Sequence, residues 1–244
     1  MKSICALLVI ACAGTAIAGP VNSGKMMSGS AKLNTGRSVT LWDQSFTNGV
    51  GIVDQDFADF PTYSTVEVDD FTTGGQTWNV DTVVTYFTWN GAWVGNHTAQ
   101  LSLYKKTGAY PTAGDVMGNL GSVPVTIFDL GGSALAVVAD TSGVGGMQGL
   151  NGDFWVGLTP SLSFGSYGQA FHLLSGNATI GDGARNRNEG GSFGFGSDWL
   201  DGPGLFGGLP NNDHCYTLGG EVVPAPGAAA LLALGGIFAG RRRR

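Results

Sequence analysis

The chain has 244 residues, 12% of them charged and 43% apolar, and a formal net charge of −6. A chain this acidic and this poor in Lys and Arg excludes nucleic acid and anionic membrane surfaces as electrostatic partners, because both are held by clustered cations. Its 13 Phe, 6 Trp and 6 Tyr are enough to build a hydrophobic core, and a single all-β domain of this size is ordinary.

The first element is a short basic start, Met1-Lys2-Ser3, followed by an apolar run over 4–17 and the small residues Ala16 and Ala18 flanking Ile17. This pattern predicts a secretory signal peptide over 1–18, cleaved before Gly19. The alternative, a retained membrane helix, needs a longer apolar run. Residues 19–38 mix Gly, Ser, Asn and Lys without a period and read as a flexible arm. Lys2 and the four terminal arginines belong to the two ends, so the body between them carries 7 basic against 18 acidic residues, a net −11 that favours cations as counterparts. Cys5 and Cys12 fall in the signal peptide, which leaves Cys215 as the single thiol of the mature domain and allows no intramolecular disulfide.

From Val39 onward the pattern is of strands. Short Val-, Thr- and aromatic-rich runs alternate and stop at Gly, Asn or Pro, and no stretch keeps a 3.6-residue apolar period for 12 residues. Strands are predicted over 39–46, 63–71, 76–89, 98–105, 123–128, 135–139, 154–158, 169–174 and 214–222. In 76–89, Trp78, Val80, Val84 and Tyr86 share one face; the other begins polar at Asn79 and Asp81 and turns apolar at Val83, Phe87 and Trp89. Such a strand starts half exposed and finishes covered on both sides. In 63–71, Val66 and Val68 are expected inward and Glu67 and Asp69 outward. A bulge at Asp69-Asp70 would return Phe71 to the core, and Gly74-Gly75 would make a hairpin turn into the next strand. The pattern over 39–222 therefore predicts an all-β fold, a two-sheet antiparallel β-sandwich of jelly-roll type.

Candidates for chemistry are few. Asp54 and Asp56 match the first two ligand positions of a calcium loop, but Ala58 takes the third, Asp59 stands where the loop needs Gly, and Thr65 where it needs Glu. An irregular Ca²⁺ site drawing on Asp54, Asp56 and Asp59 is the one cofactor considered; the alternative is a solvated acidic turn. Glu67 and Asp69, about 7 Å apart along a strand, fall in the range of glycosidase carboxylate pairs, although solvated surface is the plainer reading. His97, His172 and His214 show no metal-like spacing, and no nucleophile motif occurs. Cys215 beside His214 reads as a half-buried thiol, because neighbours in a strand point to opposite faces.

Residues 181–208 stand apart, with 10 Gly among 28 residues and large apolar side chains between them. Phe193, Phe195, Trp199 and Phe206 would make an aromatic ligand loop. Alternatively they cap the open end of the sandwich, which avoids exposing large apolar groups.

The chain ends on Pro224, Ala225, Pro226 and Gly227, an uncharged run over 228–240, and Arg241, Arg242, Arg243 and Arg244. The prolines forbid helix, and the 13 residues of the run reach about 20 Å as a helix, short of the roughly 20 residues of a stable span. The arginines would hold the terminus on the cytoplasmic side. This arrangement resembles the PEP-CTERM sorting signal of exported bacterial surface proteins, with Pro224-Ala225-Pro226 in place of the usual Pro-Glu-Pro. The resemblance implies an exosortase-like processing enzyme as partner, transient anchoring in the inner membrane, and a destination at the cell surface or in the extracellular matrix. Together these features predict a non-enzymatic structural, adhesive or glycan-binding protein whose other partner is extracellular polysaccharide. The alternative is a secreted glycan-active hydrolase or lyase.

Overall fold

Val, Thr and aromatic residues alternate between glycine-rich breaks, and in the computed structural model they form an almost wholly β, antiparallel fold. The structure describes residues 39–45, 47–88, 93–112, 118–176, 179–194, 197–201 and 213–224. The expected signal peptide, the arm and the tail from Ala225 to Arg244 lie outside the described residues. Among the described residues no helix is long and apolar enough to cross a membrane.

In chain order the strands are β1 (Val39–Asp43), β2 (Thr47–Val53), β3 (Thr65–Thr72), β4 (Thr77–Thr88), β5 (Gly95–Lys105), β6 (Asn119–Gly131), β7 (Ala134–Asp140), β8 (Asp153–Ser161), β9 (Phe171–Ser175), β10 (Arg185–Asn188), β11 (Leu200–Asp201) and β12 (Tyr216–Val223). Among the described residues one short α-helix, α1 (Phe164–Tyr167), and two 3-10 turns interrupt them. Pairing follows the path β1-β12-β4-β7-β6-β5-β8-β3-β10-β11, with β9 bridging β2 and β4, so the strands make one curled antiparallel sheet. The expected first strand over 39–46 stops at Asp43, and β2 follows it unforeseen, because its two glycines break the alternation that marks a strand.

Two details of phase differ from expectation. Strand β3 pairs with β8 in unbroken register, Asp69 to Val156, Asp70 to Trp155 and Phe71 to Phe154, so there is no bulge at Asp69-Asp70. Glu67, Asp69 and Phe71 share a face and are all buried, while Val68 packs on the opposite face with Tyr104 and Trp155. Both faces of β3 are covered, and apolarity therefore does not report which way it turns. The bulge lies instead in β4, where Gly219 of β12 pairs with Thr82 and Gly220 with Val80, leaving Asp81 as the extra residue. That insertion puts Trp78, Val80, Val83 and Phe87 in one core cluster and Val84 and Tyr86 in another. The strand is half exposed at its start and covered on both sides from Thr82 to Phe87, as its sequence indicates.

Gly74 and Gly75 do make a tight turn, with φ of 61° and 78° and a bond from the Gln76 N–H to the Thr73 carbonyl of 3.1 Å. It is a corner rather than a hairpin, since β3 pairs with β8 and β10 while β4 pairs with β7, β9 and β12. Across the corner Phe71 meets Trp78, and Phe154 also stacks on Phe71 at 5.6 Å. Burial of these rings, each worth about 1.5–3 kcal/mol or more, anchors the centre of the fold.

Candidate functional site

Strand pairing brings a set of polar side chains into the interior. Asp54 follows the end of β2, and His172 of β9 pairs with Ile52 of β2 and with Phe87 of β4. Glu67 of β3 lies directly opposite Asn186 of β10. His214 bridges to Leu174 just before β12 begins. Gly157 of β8 allows the approach, because a Cβ there would sit 2.1 Å from the Glu67 carbonyl oxygen. Asp54, Glu67, His172, His214 and Asn186 are all between 0% and 2% exposed, which closes the set to any dissolved substrate.

Each group finds a distinct setting. Asp54 accepts from Thr159 Oγ1 at 2.6 Å and pairs with His172 Nδ1 at 3.1 Å. His172 Nε2 donates to the Cys215 carbonyl at 3.1 Å, since a carbonyl only accepts. Phe87 stacks against His172 at 4.8 Å, and the His214 ring lies at 4.3 Å with its plane tilted by 34°. Glu67 Oε1 accepts from Asn186 Nδ2. Its Oε2 lies 2.5 Å from His214 Nε2, but without hydrogen-bond alignment, so that both atoms and His214 Nδ1 stay unpartnered. The His214 backbone N–H donates to Asp69 Oδ2 at 2.6 Å.

Burial sets the protonation of these groups. It raises the Glu67 carboxyl well above its ordinary range, with the Asp54 charge adding to the effect and His172 and Asn186 opposing it. Burial likewise raises Asp69, helped by Asp213 and opposed by the His214 N–H. The same cause lowers His214 to about 4, so its imidazole is neutral at pH 7 and carries a lone pair. Among the described residues, Glu67, His172 and His214 are the one His, Cys, Asp and Glu group whose ligand atoms all lie within 4.8 Å of one another.

The sequence candidates fare differently. Asp54, Asp56 and Asp59 neither converge nor form one solvated turn. Asp54 is buried on His172 and Thr159, and Asp56 accepts from Ser161 Oγ at 2.8 Å and Ser64 Oγ at 3.2 Å. Asp59 alone is exposed and caps α1 through the Phe164 and Gly165 N–H groups at 2.7 and 2.8 Å. Glu67 and Asp69 are neither a surface pair nor accessible to a polysaccharide; both are sealed in the interior. Cys215 is fully rather than half buried, and its Sγ donates to the Leu174 carbonyl at 3.2 Å. His97 stands apart, with Nε2 2.7 Å from the Trp93 carbonyl. The union of His172 and His214 with Glu67 has no spacing signal, because it arises from two strands and the entry to a third, all distant in sequence.

A second feature is an open cleft of about 340 Å³ beside Arg187 of β10. Tyr104, Tyr110, Pro111, Thr112, Arg187, Ser197, Asp198 and Trp199 line it. Trp199 meets Tyr104 edge-on at 5.7 Å and carries the Arg187 guanidinium 4.7 Å over its ring. Arg185 lies 4.7 Å over Tyr110, whose ring remains 44% exposed. Phe193 is not in this cleft; it packs edge-on against Tyr63 at 5.3 Å. Phe195 and Phe206 lie outside the described residues, as do Ala225, Pro226, Gly227 and the four arginines, whereas Pro224 is exposed just beyond β12. No family model, characterised protein or solved structure matches the chain.

Proposed function

We propose that the chain is an exported, non-enzymatic β-domain of the cell surface or extracellular matrix that binds glycan in the cleft beside Trp199. The observation that supports this reading is the lining of the cleft, where Trp199, Tyr104 and Tyr110 supply apolar faces and Arg187 and Asp198 supply groups for hydroxyls. Asp198 is the one carboxylate among the described lining residues. Hydrolysis by the usual two-carboxylate route needs a second, facing one, which favours binding over the enzymatic alternative.

The curled sheet is best classed as a two-layer, jelly-roll-like sandwich. Contacts across the core between strands that do not pair support this reading, among them the Tyr216 hydroxyl on the Asp70 carbonyl at 2.7 Å and Phe71 on Trp78. Delivery follows from the Pro-Ala-Pro, apolar and Arg segments of the tail, read by an exosortase-like enzyme. A glycan array probed with the mature protein tests the binding. Retention of particular polysaccharides is expected, and an array that retains the protein nowhere would sink the glycan reading.

A further inference from the structure

We propose that Glu67, His172 and His214 form a closed site for one divalent transition-metal ion, of the zinc class, that ties β3, β9 and the entry to β12 together. Two imidazoles and one carboxylate are the donor set this ion takes, whereas calcium asks for six or more oxygens. Their ligand atoms already lie within 4.8 Å of one another.

The second observation is the state of the donors. Glu67 Oε2, His214 Nε2 and His214 Nδ1 are buried without hydrogen-bond partners, although such groups in a dry interior are ordinarily satisfied. Glu67 Oε2 and His214 Nε2 face each other at 2.5 Å, and neither has a hydrogen-bond partner. Two ligands of a tetrahedral zinc, each bonded at about 2 Å, stand about 3.3 Å apart, so the pair needs to separate by less than 1 Å to admit the ion.

The surroundings fit as well. Asp54 holds His172 Nδ1, which is the carboxylate-to-histidine support of metal-bound imidazoles and leaves Nε2 as the ligand atom. His172 Nε2 then leaves the Cys215 carbonyl, and its proton passes to solvent as the metal binds. A bound dication offsets the cost of burying the Glu67 carboxylate as an anion. Asn186 Nδ2 fixes the other oxygen of Glu67, which keeps Oε2 directed at the site.

Because the site is closed, it is loaded during folding. Mature protein, unfolded with chelator and refolded with or without Zn²⁺ or Ca²⁺, is assayed for bound metal and for melting temperature. One equivalent of Zn²⁺ is expected, with a rise in melting temperature that Ca²⁺ does not give. Refolding with Co²⁺ should give the intense visible absorption of a tetrahedral ion. Glu67→Gln keeps the size of the side chain and its bond from Asn186 but loses the anionic ligand. It should fold without metal and lose at least tenfold in Zn²⁺ affinity, as should His214→Gln; His97→Gln should change nothing. Refolded wild type without stoichiometric Zn²⁺, or Zn²⁺ binding equal in Glu67→Gln and wild type, would overturn the site.

Discussion

Trp78 lies almost parallel to Phe71, with ring centroids 6.0 Å apart and planes at 7°, although their strands do not pair with each other. The contact is therefore made by packing across the Gly74-Gly75 corner and not along a ladder. Trp78 is only 6% exposed, so Trp78→Ala is expected to lose about 3–5 kcal/mol from transfer energy and the cavity left around Phe71. Urea unfolding measures it; a loss below about 1 kcal/mol would mean that the core collapses around the gap.

Trp199 gives the contrast. It is half-buried against Tyr104 and under Arg187 at the cleft wall. Trp199→Ala is expected to shift the melting temperature much less than Trp78→Ala and to abolish glycan retention. Lost stability with unchanged retention would make Trp199 a cap and nothing more.

Lys106 joins Asp70 and Asp182, the latter at 2.7 Å, beneath the Trp155 ring. Burial raises the Asp70 carboxyl above its ordinary 3.8, and Lys106 is the main influence holding it down. Lys106→Met removes that influence and leaves Asp70 buried beside an apolar chain. The folded-state pKa of Asp70 then rises further. A raised carboxyl favours the fold fully below the unfolded pKa and loses that contribution as pH rises through the folded one. The variant should therefore approach wild-type stability below pH 3.8 and fall behind as pH rises, by about 1–3 kcal/mol at neutral pH. A deficit independent of pH would show that Lys106 acts through packing on Trp155 alone.

Gly157→Ala tests the close approach of β8 to β3. The new Cβ would stand 2.1 Å from the Glu67 carbonyl oxygen, a backbone atom that cannot swing aside. A loss of at least about 1–3 kcal/mol is expected, with the strain centred on Glu67. Hydrogen exchange at the β3 and β8 amides locates it; unchanged protection there would place the two strands further apart than described.

Replacing Arg241, Arg242, Arg243 and Arg244 with Gln removes the cations that would orient the tail. Release or misplacement of the precursor is expected in fractionated cells. Unaltered localisation would detach the arginines from sorting.

How much of this is legible in the sequence depends on what covers each strand. Strand β5 alternates with Ala99, Leu101 and Leu103 inward, and pattern alone locates it. Strand β3 is covered on both faces, so its Val residues could be assigned to the wrong side and its carboxylates to solvent. Strands β10 and β11 hide in the glycine-rich 181–208 because Arg185, Asn186, Arg187 and Asn188 carry no apolar alternation, and their pairing is dictated by β3. The histidines needed a fold to meet. His172 could have been flagged as a polar residue inside an apolar strand, but nothing local ties it to Glu67.

One consequence concerns timing. Strand β1 has its ladder partner in β12, and β12 lies between β1 and β4. In a chain made from its N-terminus, β1 must wait for β12, and β4 keeps one edge bare until then. Such distant pairing slows folding. The edge of the sheet therefore stays open until the more than 170 residues between Asp43 and its partner Thr217 have been made. Any truncation that removes Tyr216 to Val223 would leave both edges unsealed and the nascent sheet sticky.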